Sequence, residues 1–177
     1  MLIMDGKFLK AAVYGANDGM VTTFAVVAGA TGGKMSPVVV LVLGIANLVA
    51  DGLSMGLGDY LGAKSEARLN YLNGKKKNSP KGLWRTGAVT FGAFQIAGII
   101  PLLPYILELM WNKEFNNLFI WAAVSTALGM FVIGSLRTFM IGGKWWRNGL
   151  EMLLIGSLAA GVAYGLGAGV EKVVVGK

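Results

Sequence analysis

Asn47, Asp51, Met55 and Asp59 follow one another at four-residue intervals within a single apolar stretch. A helix projects residues so spaced along one slowly drifting stripe. In order they offer an amide oxygen, a carboxylate, a thioether and a second carboxylate, and Glu66 continues the series toward the end of the stretch. Carboxylate oxygens suit magnesium, calcium and manganese, whereas thioether sulfur favours softer metals, so the mixture points to a borderline divalent ion such as iron(II). Methionine is more often core filler than ligand. The nine methionines therefore carry little weight as a count, and Met55 stands out only because it lies one turn from Asp51.

Asp18 sits in the middle of an earlier apolar stretch, as Asp51 does in its own. An ionised carboxylate at the centre of a bilayer costs about 2.5 to 3.5 kcal/mol even on the lenient insertion scale, so it needs a compensating role. Metal or proton binding is one such role, and hydrogen bonding between helices is the other. In a soluble protein Asn17-Asp18-Gly19 would read as a tight turn. Ending a span there leaves only Met20 to Ala30, too short to cross. Asp18 is therefore expected inside the membrane, with Gly15 and Gly19 flanking a point where the helix could unwind. Glu108 and Glu151 fall at predicted span ends, where solvent or a nearby Lys or Arg accounts for them.

Neither cysteine nor histidine occurs in the chain. That removes zinc fingers, iron–sulfur ligation, thiol catalysis, histidine proton shuttles and any Ser-His-Asp arrangement. With no nucleophile–base pair and no nucleotide-binding motif in view, an enzyme is not expected, nor is a bound cofactor.

The elements that must position these residues are membrane helices. Of 177 residues, 55% are hydrophobic and 14% charged, and the mean hydropathy is +0.62, which suits lipid rather than water as the solvent. Spans are expected at 9–31, 36–63, 86–110, 118–140 and 149–170, each near the roughly 20 residues that a crossing needs. They form one transmembrane domain over 1–177, with a short basic loop at 64–85. The first apolar run lacks the short h-region and A-x-A-like site of a cleavable signal peptide, so none is expected. Sorting Lys and Arg by this topology puts twelve on one side, Lys75, Lys76, Lys77 and Lys81 among them, against Lys34, Lys113, Lys172 and Lys177 on the other. Basic loops face the cytosol, which places the amino terminus there and the carboxyl terminus across the membrane. The net charge of +7 thus reports topology and contact with anionic lipid rather than nucleic acid. Pro101 and Pro104 should bend or break the third span. Glycines at four-residue spacing, Gly52 with Gly56, Gly58 with Gly62, and Gly161 with Gly165 and Gly169, form close-packing faces for use within one chain or between two. Five spans cannot divide into two equal inverted halves, and a bundle this small has little room for a private aqueous path. A homodimer with a central path answers both points.

At Gly15-Ala16-Asn17-Asp18-Gly19-Met20-Val21-Thr22-Thr23 and at Ala50-Asp51-Gly52-Leu53-Ser54-Met55-Gly56-Leu57-Gly58-Asp59-Tyr60-Leu61 the chain resembles the vacuolar iron transporter family. Pro101-Leu102-Leu103-Pro104 and Ala159-Ala160-Gly161-Val162-Ala163-Tyr164 extend the resemblance over nearly the whole length. It implies a five-helix subunit, a homodimer with its path at the interface, and export of iron(II) or manganese(II) from the cytosol in exchange for protons. Carried over by motif, Asp18 and Met55 line that path as metal ligands, Asp51 and Asn47 face it, and Glu66 stands just inside the cytoplasmic mouth. The departure is the connection between spans two and three. Many members carry a cytoplasmic metal-binding domain rich in Glu and Met there, whereas this chain has about twenty mostly basic or polar residues. The expected membrane is the plasma membrane in a prokaryote and a vacuole-like organelle otherwise. Another divalent cation as cargo, a channel, and a non-transporting scaffold or sensor remain as alternatives.

Overall fold

The computed structural model describes residues 6–74, 82–111, 116–174 and 176, and every described element is helical. The basic run Lys75-Lys76-Lys77, together with Lys81, Lys113 and Lys177, lies outside the described residues. In chain order the helices are α1 (Gly6–Gly32), α2 (Pro37–Leu72), α3 (Trp84–Gly98), a 3-10 turn (Ile100–Leu102), α4 (Leu103–Trp111), α5 (Leu118–Leu136), α6 (Thr138–Ile141) and α7 (Trp145–Val174). They make five passages through the molecule, because α3 with α4 and α5 with α6 are continuous apart from local breaks.

Four passages, Pro37–Leu72, Trp84–Trp111, Leu118–Met140 and Trp145–Val174, are long and apolar enough to cross a membrane. The first is long enough, at 27 residues and therefore about 40 Å, but Asn17, Asp18, Thr22 and Thr23 dilute its apolar character. α1 packs against α2, α3, α5 and α7 at once, so it is the central helix of the bundle; the Thr22 hydroxyl bonds within α1 itself, and Thr23 Oγ1 is buried without a hydrogen-bond partner. Met20, Val27 and Ala28 of α1 are fully buried, in one core with Phe94, Leu102, Ala122, Met130 and Met152.

Local chemistry sets the ends of the elements. Pro37 opens α2 at a position where a missing N–H costs nothing. Gly74, at φ +67°, closes it in the left-handed region that glycine adopts readily. α2 runs on to Leu72, so the expected loop at 64–85 begins as helix. The predicted break in the third passage falls at Pro101, inside the 3-10 turn. Asn148 is buried, and its Nδ2 donates to Thr138 Oγ1 at 2.9 Å and to the Gly142 carbonyl at 3.2 Å, tying α6 to the start of α7. Glu151 pairs with Arg137 at 3.8 Å, the unremarkable role expected of it.

One expectation is corrected. α1 does not unwind around Asp18; it is continuous helix from Gly6 to Gly32, and the Thr22 hydroxyl donates to the Asp18 carbonyl at 2.9 Å. Gly15 and Gly19 serve close packing instead. A Cβ at Gly15 would collide with the Thr90 carbonyl, and one at Gly19 with the Phe94 carbonyl. Backbone thus meets backbone where α1 crosses α3.

Candidate metal-binding site

The buried face of α2 is Gly44, Leu48, Gly52 and Gly56, again at four-residue spacing. A Cβ on Gly52 would stand 3.0 Å from Gln95 Nε2, and one on Gly56 2.9 Å from the Gly87 carbonyl oxygen, so this face lies directly on α3. Asn47, Asp51, Met55 and Asp59 each sit one residue nearer the amino terminus except where Asp59 extends the row, and all four are half-buried along the edge of that contact. The edge gives the stripe two surroundings, protein on one flank and an open face of Leu53, Leu57 and Leu61 on the other.

Each member has its own setting. The Asp59 carboxylate accepts a hydrogen bond from Thr90 Oγ1 at 3.1 Å. Asp18 lies on α1 and Asp51 on α2, two helices that pack against each other. Met55 packs against the edge of the core. Asn47 Nδ2 is buried without a hydrogen-bond partner; an amide turned over about its last bond would present oxygen at the same place. Glu66, beyond the stripe on the last third of α2, is exposed.

A cavity of about 820 Å³ opens between the first part of α1, the second half of α2 and the start of α3. It brings together Met55, Asp59 and Glu66 with Tyr14, Lys10 and Thr90. Asp18, Asn47 and Asp51 do not line it; Asn47 and Asp51 continue the same stripe on α2 from its inner end. Among the described residues no three Asp, Glu, His or Cys side chains gather into one metal-holding cluster. Donors therefore come in series along the stripe rather than in a cage. Sequence reasoning missed Thr90 and Tyr14. Thr90 stands alone in an apolar run, and only its contact with α2 distinguishes it from any helix threonine.

The glycine faces divide. Gly52 and Gly56 are consumed by packing on α3, whereas Gly58, Gly62, Gly161, Gly165 and Gly169 have open space where a Cβ would be. Gly58 and Gly62 border the cavity.

A model of the VIT family matches residues 9–77 and 69–168, two segments that meet in the connection between α2 and α3. Vacuolar iron transporter 1 of Eucalyptus grandis is 22% identical over an alignment of 223 positions that covers 94% of this chain and 88% of the relative. The vacuolar iron transporter of Toxoplasma gondii is 26% identical, with 96% and 76% covered. Vacuolar iron transporter homolog 1 of Arabidopsis thaliana is 30% identical over 168 positions, with 90% and 82% covered. The first alignment is longer than the 177-residue chain itself, so that relative carries residues with no counterpart here.

Proposed function

The chain belongs to the VIT family, and from that premise we propose that it carries iron(II) or manganese(II) out of the cytosol in exchange for protons. The relatives named as iron transporters give the cargo class. The observation that carries the reading is the half-buried stripe Asn47, Asp51, Met55 and Asp59, with a cavity reaching its outer end.

Oxygen donors with one thioether fit a borderline divalent ion, and spacing them in series lets an ion move between weak sites rather than settle in one deep one. Metal and proton compete for the same carboxylate oxygens, so loading one releases the other. Half-buried carboxylates beside a lipid-facing flank are costly and call for cover within the membrane. A second copy supplies it, and with the open glycine faces of Gly58 and Gly62 this supports a homodimer whose path runs between subunits. The amino terminus lies in the cytosol, as does the short basic connection after α2, which takes the place of a metal-capturing domain. The membrane is the plasma membrane in a prokaryotic source and a vacuole-like one otherwise.

Purified protein in liposomes tests the transport itself. Iron(II) and manganese(II) should enter faster than in protein-free vesicles, with protons moving the opposite way. Folded, inserted protein that moved neither metal would favour a scaffold.

A further inference from the structure

We propose that Thr90 is a positioning residue for the metal path, holding the Asp59 carboxylate toward the cavity and releasing it when a cation docks. The proposal rests on the transport reading above. Thr90 is 2% exposed, yet it lines the cavity and reaches Asp59 with its hydroxyl. Its Oγ1 lies 3.1 Å from Asp59 Oδ2 and also 3.1 Å from the Thr86 carbonyl oxygen, one turn back on α3. A hydroxyl has a single hydrogen to give, so the two acceptors are alternatives.

While the Asp59 carboxylate is unoccupied it is the stronger acceptor, because it is charged. A cation that docks on the carboxylate takes up the same lone pairs. Rotation about the Cβ–Oγ bond then turns the hydrogen to Thr86, and the buried hydroxyl is never left unpaired, which removes the usual penalty for breaking such a contact. A threonine serving helix structure alone would need only the Thr86 carbonyl.

The backbone beneath Thr90 is fixed from two sides. Gly15 brings α1 against the Thr90 carbonyl, and Gly56 and Gly87 bring the α2 and α3 backbones together one turn away. The position of Oγ1 relative to Asp59 is therefore set by the two helix contacts and not by a flexible side chain. Met55, one turn along α2 and on the same cavity, is the next donor that a cation leaving Asp59 meets.

The test is iron(II) uptake into proteoliposomes, read as apparent KM and maximal rate, for wild type, Thr90→Val, Thr90→Ser, Asp59→Asn and the Thr90→Val/Asp59→Asn pair. Thr90→Val keeps the shape and deletes a hydrogen bond that only the unloaded carboxylate makes, so KM should fall about five- to tenfold with the maximal rate within about twofold, the net scale of one hydrogen bond. Thr90→Ser should restore wild-type kinetics, and Thr90→Val should add nothing to Asp59→Asn. If Thr90→Val fails to insert, Thr90→Ala removes the same hydroxyl without filling space and must give the same KM change. Unchanged or raised KM in a folded hydroxyl-free variant, a Ser variant shifted as far as Val, or additive effects in the pair would each overturn the assignment. Wild-type protein that took up no iron would instead sink the transport reading, and this one with it.

Discussion

Met55 is the one sulfur in a row of oxygen donors, and that makes its role separable from packing. Met55→Leu keeps volume and apolar contact with the core edge, so stability should change by less than about 1.5 kcal/mol. Iron(II), the softer ion, should lose more apparent affinity than manganese(II). Competition uptake at matched protein content measures it, and equal losses for both metals would make Met55 filler. At this scale the sequence was informative where donors repeat with helical period, as in Asn47, Asp51, Met55 and Asp59. It was silent on Thr90, because a hydrogen bond between α3 and α2 leaves no periodic trace in either segment.

The element that sequence reading describes least well is α1. Its Asn17-Asp18-Gly19 reads as a local interruption, and Gly15 and Gly19 look like helix breakers when they are contact points for α3. Both features follow from its central place, which is a property of the assembled bundle and not of the segment. Gly15→Ala should therefore destabilise the bundle by roughly 1 to 3 kcal/mol, since the neighbour is backbone and cannot yield. Gly161→Ala on α7 meets open space and should be neutral or stabilising by up to about 1 kcal/mol within one chain. Thermal unfolding in mild detergent compares the two, and equal effects would contradict the packing described. Beyond the membrane helices, Lys34, between α1 and α2, meets Glu171 of α7 at 2.9 Å. The Glu171 carboxylate holds the Lys34 ammonium above its ordinary range. A raised ammonium contributes fully below its unfolded value near 10.5 and is lost only as pH climbs through the higher folded value. Because Lys34 is exposed, Glu171→Gln should leave the melting temperature at pH 7 nearly unchanged.

For the whole molecule, the apolar runs and the basic connections were enough to indicate a helical membrane bundle, and the broken third passage appears where Pro101 predicted it. The stripe and the glycine repeats could be read from spacing, but not that the stripe is half-buried or which glycines stay open, because which side of α2 meets α3 depends on the tertiary packing. Two chains per particle are expected in mild detergent, and cysteines placed at Ser79 and Lys177 should label from opposite sides of oriented vesicles; labelling from one side would overturn the five-passage topology. The central claim is that intramembrane carboxylates carry both metal and protons. Asp18→Asn and Asp51→Asn keep size and hydrogen bonding while removing the charge that a divalent ion needs and the site that a proton occupies. Metal uptake into proteoliposomes holding a trapped pH dye tests it most directly: both variants should insert normally yet lose metal-driven proton movement, and wild-type flux in both would contradict the account.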